Sequence, residues 1–207
     1  GMTRSTFRPT LAMTYPIAQG HDLVSGTPRI VRPAANNSAS WPAGSIYTNV
    51  MDLSRWMIAF VNGGQVGGAQ ALPASLFATL SAPRTAIPGS ANRYGYGVQV
   101  GTWRGLEMVE HAGSRSGYGS VMRMVPSKQF GVIVLANRTG VSFTRTATAA
   151  IELVLKPAPA ETAPARTPVA MTPTEVSNYA GVYSQGTRRM ELVARTGGVF
   201  ITQAGQD

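Results

Sequence analysis

Cysteine is absent from all 207 residues, which removes disulfides, thiolate nucleophiles and cysteine-ligated zinc from consideration. Histidine occurs only as His21 and His111, too few for an imidazole metal cluster, so no metal or other cofactor is expected. Acidic side chains are scarce, with 9 Asp+Glu against 18 Lys+Arg and a formal charge of +9. Such a balance favours attraction to nucleic acid, anionic membrane surfaces or acidic wall polymers. Lysine is nearly missing too, occurring only as Lys128 and Lys156, and the arginines are scattered without a basic run. A solvated basic surface is therefore expected rather than a nucleic-acid footprint. No apolar run approaches the ~20 residues that span a bilayer; the longest compact one is Val132-Ile133-Val134-Leu135-Ala136. Nothing at the start has the pattern of a signal peptide. Gly1-Met2 fits either a cleavage scar before an initiator methionine or an internal pair of a longer protein, so location is unreadable from these residues.

What is present suffices for one ordinary domain and a small appendage, since 43% of residues are hydrophobic and only 13% charged. Residues 1 to 45 are rich in Pro, Thr, Asn, Ser and Gly with little periodicity, which predicts a long irregular segment lying over a scaffold. From Asn49 the pattern changes. Leu53, Trp56, Met57 and Phe60 recur at helical spacing, with Asn49 and Asp52 as a polar start signal and Asn62-Gly63-Gly64 as the stop. Pro73, Leu76, Phe77 and Leu80 predict a second short helix before Pro83.

Tyr94 to Val100 alternates as a strand does, and Gly101 to Gly105 suits a turn. Leu106 to His111, Gly119 to Val125 and Gly131 to Asn137 predict further strands, the last two joined by a Pro126-Ser127-Lys128-Gln129 turn. This is an antiparallel meander, and residues 142 to 155 carry an apolar helical face to pack on it. The fold class is α+β. Pro157 to Pro173 reads as a Pro/Ala-rich linker. It separates residues 1–156 from residues 174–207, where short apolar stretches at 179–183, 190–193 and 199–201 predict the start of a small β domain, cut short.

Three pieces then occur in a telling order. Pro42-Ala43-Gly44-Ser45-Ile46-Tyr47-Thr48-Asn49 leads into the Asp52-Leu53-Ser54-Arg55-Trp56 helix. Tyr94-Gly95-Tyr96-Gly97-Val98 follows, and then His111-Ala112-Gly113-Ser114 with Gly117-Tyr118 and a strand pair ending at Asn137-Arg138. In this the chain resembles the serine β-lactamase-like, penicillin-binding-type hydrolases, which include class C β-lactamases, D-alanyl-D-alanine carboxypeptidases and related esterases. Residues 1 to 7 resemble a segment between that family's second and third catalytic motifs, so the likeness covers the later part of the catalytic domain. It implies a partial β-lactamase/transpeptidase-like fold, with an antiparallel sheet packed by helices plus a truncated small β appendage.

The resemblance also implies a chemistry. A serine attacks a carbonyl, a lysine three residues later tunes its proton, and the tyrosine of a Tyr-x-Asn motif handles proton transfer. No Ser-x-x-Lys occurs in this chain. Tyr47-Thr48-Asn49 stands where the family has its Pro-Ala-Gly segment and reads as a decoy. His111-Ala112-Gly113 matches the His-x-Gly form of the third motif: His111 as a donor or cation, Gly113 for close substrate approach, and the Ser114 backbone N–H as one oxyanion-hole donor. Ala112 has no hydroxyl to offer the substrate. Arg115 and Tyr118 are candidates for contacting an anionic or ring-bearing substrate, although an arginine and a tyrosine in a turn are ordinarily surface residues. A lone histidine at a strand end is ordinarily a capped or surface residue as well. His21 either positions the covering loop or only satisfies loop backbone.

The expected function is part of an acyl-transfer hydrolase acting on β-lactam, D-amino-acid peptide or ester bonds, inactive alone for want of a nucleophile. Its substrate would be a small molecule or peptidoglycan-like material of the bacterial cell wall, in the periplasm or outside the cell for a full-length member. The alternative is a noncatalytic module that binds peptidoglycan-like ligands or another polypeptide, in which an oligomer contact or partner covers exposed core.

Overall fold

A computed structural model of the protein describes residues 1–32, 38–141, 143–159, 171–185, 188–195 and 198–202. Most of the expected 157–173 linker lies outside the described residues. The chain divides into two compact units, Gly1–Ala160 and Glu161–Asp207.

In the first unit the opening segment holds α1 (Pro9–Ala12), the hairpin of β1 (His21–Val24) and β2 (Thr27–Ile30), and a 3-10 turn at Ser38–Ala43. It is less irregular than its composition suggests. The hairpin turns on Ser25 and Gly26, both at positive φ, which suits a two-residue loop. Helix α2 (Val50–Val61) begins where expected, with the Asn49 side chain accepting the Asp52 N–H at 3.0 Å. A small hairpin of β3 (Gln65–Val66) and β4 (Ala69–Gln70) leads to α3 (Ala74–Ser81).

Next come β5 (Thr85–Ala86), β6 (Arg93–Tyr94), β7 (Gln99–Trp103), β8 (Leu106–Arg115), β9 (Tyr118–Val125), β10 (Phe130–Ala136) and α4 (Thr144–Leu155). Among the described residues β5 to β10 form one antiparallel meander, in spatial order β10-β9-β8-β7-β6-β5. Two expectations need correction here. Tyr94 to Val100 is not a single strand, because residues 95–98 turn: Gly95 N–H donates to Val98 O and Tyr96 N–H to Leu80 O. Gly97 sits at φ 74, and a Cβ on Gly95 would lie 2.2 Å from Leu80 O. The turn expected over 101–105 shrinks to Arg104-Gly105, since β7 runs on to Trp103.

The sheet is covered on both faces. Val109 and Met124 pack under α2 and α3, where Trp56, Phe60 and Phe77 meet with ring centroids 5.1 to 6.4 Å apart. On the opposite face Met108 and Val125 pack against Ile151 of α4. Met124, Val125 and Ile151 are completely buried, each worth roughly 1.5–3 kcal/mol of transfer energy.

In the second unit α5 (Pro173–Tyr179) precedes a three-stranded antiparallel sheet of β11 (Gly181–Gln185), β12 (Arg188–Arg195) and β13 (Gly198–Thr202). The strands fall near the expected stretches. The helix was not expected, although Thr172 and Glu175 form a reciprocal capping box. No helix among the described residues is long and apolar enough to cross a membrane.

Candidate active site

Strand β8 changes character halfway along. From Leu106 to Glu110 it is flanked by β7 on one side, and β9 joins it from Val109 on. Beyond Glu110, β7 has ended, and residues 111–115 pair with β9 alone. The β8–β9 hairpin closes on Arg115↔Tyr118 around two residues, and a two-residue hairpin closes on a hydrogen-bonded pair. Alternation then turns the backbones of His111 and Gly113 toward β9. The N–H and C=O of Ala112 and Ser114 point out of the sheet at its open edge. The Glu110–Arg123 ion pair, 2.5 Å and mostly buried, marks the point where the covered half ends.

The structure places the residues singled out from sequence as follows. His111 projects to the α2 face, and its Nε2 lies 2.9 Å from the Tyr94 hydroxyl, with the rings edge to face. The pair leaves His111 half-buried and oriented rather than loose at a strand end. Ala112 and Gly113 are exposed. A Cβ on Gly113 would come 2.9 Å from Ser120 Oγ. The Ser114 hydroxyl accepts the Gly140 N–H at 2.8 Å, so the side chain anchors the next loop while its own N–H faces the edge. Arg115 donates from Nη2 to Ser40 Oγ at 3.0 Å. The Tyr118 hydroxyl donates to Ala18 O at 2.9 Å; burial, reinforced by the neighbouring Tyr47 phenol, pushes its pKa up.

These contacts show how the opening segment lies across the sheet. The His21 N–H donates to Asn137 O at 3.0 Å, Thr139 N–H returns to His21 O at 2.9 Å, and Asn137 Nδ2 donates to Gln19 O at 2.9 Å. His21 thus satisfies loop backbone and in doing so fixes the segment at the ends of β9 and β10. Gly20 and Gly117 cross so closely that a Cβ on Gly117, already at φ 87, would lie 2.8 Å from Gly20 Cα. At the other end Asp52 is buried and accepts Arg4 N–H at 2.7 Å and the Ser5 hydroxyl at 2.8 Å. Burial raises its pKa, but the Arg4 and Ser5 hydrogen bonds and the Arg55 charge outweigh that and hold the carboxyl below its usual range.

Between segment and sheet is a cavity of about 870 Å³. Gly113, Ser114, Arg115 and Tyr118 line it together, while His111 and Ala112 lie outside its lining. Tyr47 lines it too, and pairs with Thr6 through reciprocal backbone bonds of 3.0 and 2.9 Å; its neighbour Asn49 serves as the α2 cap. Sequence reasoning gave no role to Tyr94, although the Tyr94-Gly95-Tyr96-Gly97 motif contained it. No group of three or more His, Asp or Glu able to hold a metal occurs among the described residues.

The Beta-lactamase family profile matches residues 1–156. Among curated proteins, the unguisins hydrolase ungD of Aspergillus violaceofuscus (strain CBS 115571) is 25% identical over 161 residues, which is 62% of this chain and 28% of that protein. Among solved structures, the octameric penicillin-binding protein homologue from Pyrococcus abyssi has a TM-score of 0.69 at 20% identity, covering 99% of this chain and 45% of that one. A penicillin-binding protein from Bacillus halodurans has a TM-score of 0.56 at 22% identity, covering 73% of this chain and 45% of that one. The chain therefore spans less than half the length of each.

Proposed function

The chain belongs to the Beta-lactamase family, and from that premise we propose that it is the later part of a serine hydrolase working by acyl transfer on β-lactam, D-amino-acid peptide or ester bonds. The observation that carries this reading is the open half of β8, where an oriented imidazole, a glycine and an outward N–H follow one another beside a cavity. An extended substrate lies along such an edge by main-chain hydrogen bonds. The Ser114 N–H serves as one oxyanion donor and His111 as a hydrogen-bonding group toward the substrate or the catalytic tyrosine, with Gly113 admitting the substrate backbone. Arg115 and Tyr118 line the adjoining pocket, and Ala112 contributes backbone only. Residues 157–173 are read as a linker to the start of a small β domain at 174–207.

With no Ser-x-x-Lys in the chain, the attacking hydroxyl and the second oxyanion donor belong to polypeptide outside it. One donor without a nucleophile leaves only residual catalysis. The purified chain is expected not to turn over a chromogenic β-lactam or p-nitrophenyl esters. Saturable hydrolysis abolished by a serine-directed reagent would overturn the reading.

A second reading, a noncatalytic partner module, is favoured by the apolar side chains left exposed on the first unit, among them Leu11, Met13, Met51 and Ile58. It expects self-association or hydrophobic dye binding. A clean monomer in sedimentation that binds no dye would remove it.

A further inference from the structure

We infer that the cavity beside Ser114 receives an arm of the substrate that is apolar along its length and anionic at its end, gripped by Arg115. The inference rests on the acyl-transfer reading, because it takes the Ser114 N–H as the point where the reacting carbonyl sits. The lining of the cavity takes in Gly113 to Ser116 and Tyr118 but not His111. Whatever enters it is the part of the substrate leaving Ser114 toward the hairpin tip.

Three observations fix the chemistry of that arm. The volume, about 870 Å³, is ample for a small-molecule group. The charge is of one sign: Arg4 and Arg115 line the cavity, and no Asp or Glu does so among the described residues. Arg115 is also pre-set. One Nη is tied to Ser40 Oγ, and Nη1 stands 3.9 Å from where a Cβ on Gly44 would be, so the small residue leaves room beside the guanidinium. An arginine fork held this way retains N–H donors with the geometry a carboxylate requires.

The third observation is the apolar lining of the cavity. Ile17, Val50, Leu53 and Leu135 supply the apolar stretch of the wall. A neutral polar arm would leave Arg115 without a counter-charge in the cavity, whereas a carboxylate on a short apolar stem satisfies the arginine and the apolar wall together.

The test titrates the chain calorimetrically, at low salt, with glutaryl-D-alaninamide, whose arm ends in a carboxylate, and with the analogue in which a carboxamide replaces that carboxylate. The acid is expected to bind about tenfold more tightly, as one charge-assisted contact allows, with the gap narrowing as salt is added. Arg115→Ala should abolish the preference and Arg115→Lys keep part of it, with the fold checked by circular dichroism. If Arg115→Ala does not fold, Arg115→Gln gives the same readout. Equal affinity of the wild-type chain for both probes, or a preference untouched in the folded arginine variants, overturns the anionic arm and leaves the acyl-transfer site standing. Failure of both probes to bind overturns the anionic arm, while the acyl-transfer reading stands or falls on the hydrolysis assay.

Discussion

The two halves of β8 differ in one respect that decides what each can do. Residues 106–110 have β7 along one edge, with β9 on the other at Val109 and Glu110, and their side chains include Met108 and Val109, which fill the two cores. Residues 111–115 have β9 only, and their backbone remains on offer. A covered strand spends its hydrogen bonds on stability. An uncovered one keeps them for a ligand and must be held straight by something else, as an open edge is otherwise a liability. Here the support comes from the side: Tyr94 steadies His111, Gly140 N–H caps the Ser114 hydroxyl, and Ser40 holds Arg115.

Substitutions sharpen this contrast. The largest effect is expected beneath the covered half, where Met124→Ala should cost about 2–5 kcal/mol in chemical denaturation, because Met124 is fully buried opposite Val109. At the hairpin tip Gly117→Ala should cost about 1–3 kcal/mol through its positive φ and its crossing with Gly20. It should loosen residues 15–31, seen as faster proteolysis there while the covered half stays protected. Equal loosening of both regions would break the contrast. Tyr94→Phe should cost about 1 kcal/mol, and NMR should show the His111 ring losing its fixed orientation while the core signals stay unchanged.

The gentlest effect is that of acid on Asp52. Its folded-state pKa lies below the ordinary value, so its contribution is complete above the usual carboxylate range and fades as pH falls through the folded pKa. Residues 1–8 should therefore release before the sheet does in an acid titration followed by hydrogen exchange. Simultaneous release would contradict Asp52 as their anchor.

Much of the covered architecture is legible in the residues themselves. Asn49, Asp52 and the stop at residues 62–64 delimit α2 because capping is local chemistry, and the apolar run through Val132 marks β10 because a strand covered on both faces excludes polar side chains. The open half is harder to read. His111 reaches Tyr94 across seventeen positions, and only the sheet register brings them together. Residues 95–98 alternate like a strand yet turn, with the Tyr96 N–H donated to the Leu80 carbonyl, a tertiary contact that no local pattern encodes. The capping box at Thr172 and the Ser25-Gly26 turn were local signals within Pro- and Thr-rich surroundings that mask periodicity.

Amide hydrogen exchange resolved along β8 reaches the central claim most directly. The Ala112 and Ser114 amides should exchange orders of magnitude faster than those of Met108 and Glu110, which alternation directs at β7. Protection of Ser114 equal to that of Glu110 would mean that its N–H is already committed, and the strand would then have no edge to give to a substrate.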